Sequence, residues 1–159
     1  MCWSRDAGMA MVNMSIDLAE EKDDPSYYMD SMKLHKLLYL SQCAMLQQYG
    51  SHMFKEAITA HRCGPYVDGI GSIPAKMGFG LMKKRFNPEE DEVVYPSVAR
   101  MDILKQILEG FGKKTTKELI RYTKETPPYQ KVASQITADN KPEITTESMK
   151  KGRFLSQAG

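Results

Sequence analysis

Residues Asp30 to Gly50, DSMKLHKLLYLSQCAMLQQYG, decide how this chain folds. Leu34, Leu37, Leu38, Ser41, Met45 and Tyr49 recur at three- and four-residue spacing, while Tyr39, Leu40, Cys43, Ala44 and Leu46 fill most of the other faces. A helix apolar on nearly every side has to be wrapped by other elements. Lys33, Lys36 and Gln47 fall together on a helical wheel and are expected to form a thin polar strip with one edge in water. Asp30 or Ser31 suits the N-cap, and Gly50 can take the left-handed conformation that ends the helix.

Upstream, residues 1–8 show no periodicity and are expected to be disordered. Met9, Val12, Ile16 and Ala19 then predict an amphipathic helix that ends in the acidic run Glu20 to Asp24 before Pro25. Tyr27, Tyr28 and Met29 bridge to the central helix. Downstream, Phe54, Ile58 and Ala60 suggest an extended segment or brief strand, Gly64-Pro65 a turn, and Ile73 to Met77 a short helix. Lys83 to Phe86 and Glu92 to Tyr95 flank the turn NPEED, which predicts a small hairpin.

Ser97 can cap a helix whose apolar face is Val98, Met101, Ile103, Leu104, Ile107, Leu108 and Phe111, with Gly110 and Gly112 ending it. Thr115 and Glu118 have the spacing of a capping box, and Thr126-Pro127 opens a further short helix with Val132, Ala133 and Ile136 turned inward. Ile144 to Leu155 reads as a last helix begun at Thr145 or Thr146. The expected fold is mainly α: six or seven helices in one domain over 9–155, a buried central helix, one small β element, and a frayed tail at 156–159.

Composition narrows the function classes. An apolar fraction of 42% in 159 residues suits a globular domain with a real core. No apolar run approaches membrane-spanning length and no signal-peptide pattern is evident, so a cytoplasmic protein is expected and a membrane partner is not. Cys2, Cys43 and Cys63 are odd in number and form no Cys-x-x-Cys pair, which fits reduced thiols. The net charge of +2 conceals an asymmetry: residues 1–30 carry two basic and seven acidic side chains, residues 113–159 ten and five. A basic C-terminal third points to an acidic protein partner or nucleic acid, or to no more than a solvated helix surface, and the solvated surface is the better reading. Nothing in it has zinc-finger spacing or the alternating basic and aromatic pattern of a nucleic-acid binder.

MKLHKLLYLSQ, then LQQYG, then MFKEAITAHRCGPYV resembles the signature of the Panacea antitoxin domain, a family that includes SocA-like and GepA-like phage-associated proteins. There a KLQKLLY helix leads through Tyr-Gly to a Gly-Pro-Val turn; the counterparts here are Lys33 to Tyr39, Tyr49 with Gly50, Phe54 to Ala60, and Gly64 to Val67. ILEGFGKKTTKELIRYTKETPPYQKV is similar to the family's second block, with Lys124 where His is usual and Tyr129 where Trp is usual. The resemblance implies a small cytosolic antitoxin that neutralises a cognate toxin by direct binding, or, as SocA-like members are understood to do, an adaptor that delivers a bound toxin to a protease.

The residues add no catalytic motif to this. Cys43, His52, His61 and Cys63 are soft metal ligands, but their spacing matches no structural zinc site, and neither metal nor cofactor is expected. Gly69 to Pro74 begins like a dinucleotide fingerprint, yet has no preceding strand and ends in proline. The acids Glu89 to Glu92 sit together in a turn. Three groups stand out for partner binding: Lys33, His35 and Lys36, with Tyr39, on the central helix; Arg62, Gly64, Pro65 and Tyr66 at the turn; and Tyr122, Lys124 and Tyr129 in the second block. An enzyme whose site is assembled from Arg62, His35 and tyrosines across the fold is the alternative of a different class. Twelve methionines fit an adaptable surface, or an irregular core that needs flexible filling.

Overall fold

The computed structural model describes residues 2–151 and 154–157. Among them are seven α-helices: α1 (Ser4–Glu21), α2 (Ser31–Tyr49), α3 (Ser72–Met77), α4 (Val98–Phe111), α5 (Thr116–Lys124), α6 (Pro127–Gln130) and α7 (Thr146–Lys150). One antiparallel hairpin, β1 (Ile58–His61) with β2 (Gly64–Val67), is the only paired sheet among the described residues. The fold is mainly α, as the periodicity predicts.

α2 is the axis. The Asp30 carboxylate accepts from the Lys33 N–H at 2.7 Å, and Gly50 closes the helix at φ 71°. Every residue from Lys33 to Leu46 is buried, because α1, α4, α5, α7 and β2 all pack on this one rod. The expected polar strip is therefore corrected. Lys33 and Lys36 are 3% and 0% exposed, and of the three strip residues only Gln47 reaches the half-buried range. Burial of each large apolar side chain along the rod contributes roughly 1.5–3 kcal/mol, which is the main force holding the wrapping helices in place.

α1 begins at Ser4, so most of the segment expected to be disordered is helical, and Met1 lies outside the described residues. The cause is a strap of long-range bonds. Lys55 N–H donates to the Cys2 carbonyl at 3.2 Å, Ser4 N–H to Glu56 Oε1 at 2.8 Å, and Ser4 Oγ to the Asp68 carbonyl at 2.6 Å. Nearly all of α1 from Ser4 to Ile16 is buried, so it is less amphipathic than its spacing suggests.

The hairpin is placed differently from both turn expectations. Its two-residue turn is Arg62-Cys63, and Gly64-Pro65 opens the second strand, with His61 paired to Gly64 and Ala60 to Pro65. Proline is tolerated there because Ala60 and Pro65 exchange no hydrogen bond, so β1 needs no N–H from Pro65; Ala60 faces the other way and its N–H donates to the Pro142 carbonyl at 2.8 Å. Residues 83–95 form no hairpin. Their backbone groups are taken by α1 instead: Asn13 exchanges two hydrogen bonds with the Phe86 backbone, at 2.8 and 3.1 Å, and Asp6 accepts from Val94 N–H.

Ser97 caps α4 as expected, but Val98 stands outside the core at 80% exposed and Gly110 lies within the helix, leaving Gly112 as its C-cap. The Thr115–Glu118 capping box is complete. α7 is shorter than predicted. It ends at Lys150, a 3-10 turn covers Phe154–Gln157, and residues 152, 153, 158 and 159 lie outside the described residues.

Candidate partner-binding face

Two adjacent residues of α2 complete the free edge of the hairpin. β1 pairs with one edge of β2, which leaves the outward backbone groups of the other edge in need of partners. The Val67 N–H donates to His35 Nδ1 at 2.9 Å, and the Lys36 ammonium donates to the Pro65 carbonyl at 3.0 Å. His35 and Lys36 thus act where a third strand would. Gly64 is what lets the strand come this close: its φ is 102°, and a Cβ there would meet Lys36 Cε and Thr123 Oγ1, each at 3.1 Å.

Tyr66 lies over this pair. Its ring centroid is 3.8 Å from that of His35 and 4.5 Å from that of His61, with the Lys36 ammonium 5.4 Å away. Burial is the chief reason that the His35 imidazole is pushed down to about 3, with Lys36 and His61 adding to it, so the ring is neutral and free to accept. Burial likewise brings the Lys36 ammonium down to about 8. Lys33 has the same value for the same reason; it donates to the carbonyls of Ser26 and Gly112, which ties the start of α2 to the end of α4.

Tyrosines of the first and third groups meet the hairpin or its neighbours through further bonds. Tyr39 OH and Thr126 Oγ1 are hydrogen-bonded at 2.6 Å inside the protein, and Thr126 donates on to the Thr123 carbonyl. That bond explains why Thr126 makes no side-chain cap for α6: its hydroxyl is used inward. Tyr129, 2% exposed, donates to the His61 carbonyl and pins α6 against the hairpin turn. Tyr122 is half-buried and packs on Phe111, with centroids 5.2 Å apart.

The eleven candidates thus divide in two. Lys33, His35, Lys36, Tyr39, Gly64, Pro65 and Tyr129 are buried and hold the face together; Arg62 is exposed, and Tyr66, Tyr122 and Lys124 are half-buried. Sequence reasoning read Thr126 only as the opening of a helix, and missed Thr123 and the carbonyl of His61, neither of which has a linear signal. Of the residues named for a dispersed site, His35 is buried with its Nδ1 accepting from the Val67 N–H and Tyr66 stacks on it, while Arg62 is exposed at the hairpin turn. Among the described residues no three His, Cys, Asp or Glu side chains are placed to share a metal ion. Cys43 is enclosed in α2, His52 bonds Thr146, and His61 bonds Thr59.

A family model described as antitoxin SocA-like, Panacea domain, matches residues 34–130, more than half of the chain. The match spans all the candidates except Lys33. No curated protein and no solved structure matches the chain.

Proposed function

Because the chain belongs to the antitoxin SocA-like, Panacea domain family, we propose that it neutralises a protein toxin by binding it directly. The observation that carries this reading is the family match itself. It gains support from the way the two family-like blocks, far apart in the chain, meet at β2, α5 and α6 around one buried polar seam. Such a seam makes the surface above it rigid, and a rigid surface loses little entropy when a partner docks. Arg62, Tyr66, Tyr122 and Lys124 are the candidates that a partner could reach, and tyrosine and arginine are among the side chains that most often anchor an interface.

Neutralisation then consists of covering a functional surface of the toxin, over at least about 1,000 Å² in total. The reading places the chain in the cytoplasm; among the described residues no helix is long and apolar enough to cross a membrane. Co-expression with the product of the adjacent reading frame tests it. That product alone should arrest growth, and the pair should grow and co-purify. A harmless product that fails to co-purify overturns the reading. Delivery to a protease is separated from simple covering by adding protease to the purified pair: faster loss of the partner in the presence of this chain identifies an adaptor.

A further inference from the structure

The basic C-terminal third, taken from the sequence as a solvated surface, is not evenly charged once folded. On α5, Lys117, Arg121 and Lys124 stand at i, i+4 and i+7 and line one flank over about 10 Å. Glu118, Tyr122 and Glu125 form the adjacent stripe, whose Tyr122 packs on Phe111 of α4. The cationic flank is therefore the one turned from α4, on the side where Thr123 packs against Gly64 of the hairpin. Arg62, exposed in the hairpin turn, lies two residues from Gly64 and so at the Lys124 end of this flank. Its surroundings are fixed: Tyr129 holds the His61 carbonyl, and Gly64 packs on Lys36 and Thr123. Among the described residues Arg62, Lys117 and Lys124 form no ion pair, and Arg121 has only an exposed one, to Glu125 at 3.6 Å. The field at the turn is positive. Burial is the chief reason that the His61 imidazole is held below its usual range, and the Lys141 and Lys36 ammonium groups add to it, against a weaker pull from Asp68.

We propose that Arg62, Lys117, Arg121 and Lys124 form the landing surface for an acidic segment of the protein partner, one that carries several Asp or Glu side chains. This rests on the binding function proposed above and supplies the chemistry of the partner at that face. Arg62 and Arg121 offer planar forks that match carboxylates, and Lys117 and Lys124 add mobile point charges. Each exposed pair is weak by itself, so the surface acts chiefly on the rate of encounter, through the summed field of cations that two distant parts of the chain bring together. A nucleic acid fits less well. The aromatic faces on which bases would stack are already used, Tyr66 by His35 and His61 and Tyr122 by Phe111, while Tyr129 is buried.

A fluorescein-labelled octaglutamate peptide is the probe, with octaglutamine and a single-stranded oligonucleotide of matching charge beside it. Octaglutamate should bind saturably at about 0.01 M ionic strength and be released at about 1 M, where the Debye length falls from about 30 Å to about 3 Å, and octaglutamine should not bind. Arg62→Glu with Lys117→Glu should weaken octaglutamate at least about tenfold. Lys83→Glu with Lys84→Glu, an equal change of charge at exposed positions elsewhere, should alter it less than about twofold. Equal loss in the two variants reduces the effect to net charge and overturns the proposal. Tighter binding of the oligonucleotide, abolished by R62E/K117E, assigns the surface to nucleic acid and also overturns it. If the reversal lowers the urea midpoint, R62Q/K117Q replaces it, with a loss of about threefold expected. In capture of the adjacent reading frame's product, R62E/K117E should slow association about tenfold at low salt and K83E/K84E should not. Equal rates overturn the proposal while the function stands. Should wild type capture nothing, the proposed function fails, and the octaglutamate comparison alone decides this surface.

Discussion

The Lys36 ammonium, on a residue with no exposed surface, donates to the Pro65 carbonyl of a strand that begins 28 residues later in the chain. Of the two family-like blocks, the first folds back on itself through this bond and the neighbouring one from Val67 to His35. Stability, pH response and the shape of the proposed binding face all pass through them.

Stability should rise from about pH 8 to pH 9. Lys33 and Lys36 stand at about 8 in the folded protein against an ordinary 10.5, so over this interval the unfolded chain holds protons that the folded one has released. The gain is complete above 10.5 and is lost as pH falls through 8, each group adding at most about 1.4 kcal/mol per pH unit. Beyond pH 9 the raised Cys2 and Cys43 thiols oppose it, since there the unfolded chain ionises first. Urea midpoints across this range should climb about half as steeply in Lys36→Met; an unchanged slope means that Lys36 is not the group titrating.

His35→Gln and His35→Leu should part company. Glutamine keeps an acceptor for the Val67 N–H, whereas leucine leaves that buried donor unpaired at about 1–3 kcal/mol. The leucine variant should be the less stable by that margin in equilibrium denaturation. His35 also predicts an acid limb. Its folded value of about 3 lies below the ordinary 6.5, so its contribution is full above 6.5 and is lost as pH falls towards 3, and H35Q should flatten that limb.

Tyr39→Phe should cost about 1 kcal/mol, the net worth of one hydrogen bond. Because Thr126 donates to the Thr123 carbonyl, the Tyr39 hydroxyl is the donor to Thr126, and its removal leaves Thr126 able to keep its other bond. Amide hydrogen exchange should show the loss concentrated in α5 and α6. Uniform loss across the protein would show that the bond does not couple those helices to α2.

Gly64→Ala should destabilise by about 1–3 kcal/mol through strain at φ 102° and crowding against Lys36 and Thr123. Gly78 is the control. It also has a positive φ, 78°, but a Cβ there meets nothing within 4 Å, so Gly78→Ala carries backbone strain alone and should cost less. Equal midpoints for the two variants would remove the close packing of Gly64 from the account.

Periodicity was enough to identify α2, its Asp30 and Gly50 caps, α4, and the Thr115 capping box, since each depends on residues within a turn or two of one another. Local chemistry also fixed how much of the chain is helical, and the family-like blocks identified which stretches belong together. What it could not determine is where the polar groups go. Lys33 and Lys36 look like part of a solvated strip on a helical wheel, yet they and His35 are interior because the carbonyls and N–H that satisfy them belong to Ser26, Gly112, Pro65 and Val67, brought in by other elements. The strap on residues 2–4, and the capture of Phe86 and Val94 by α1 in place of a hairpin, escaped for the same reason. A side chain's own sequence neighbourhood sets its conformational preferences; its burial is set by which distant backbone groups arrive to pay for desolvation, and that only the tertiary structure decided.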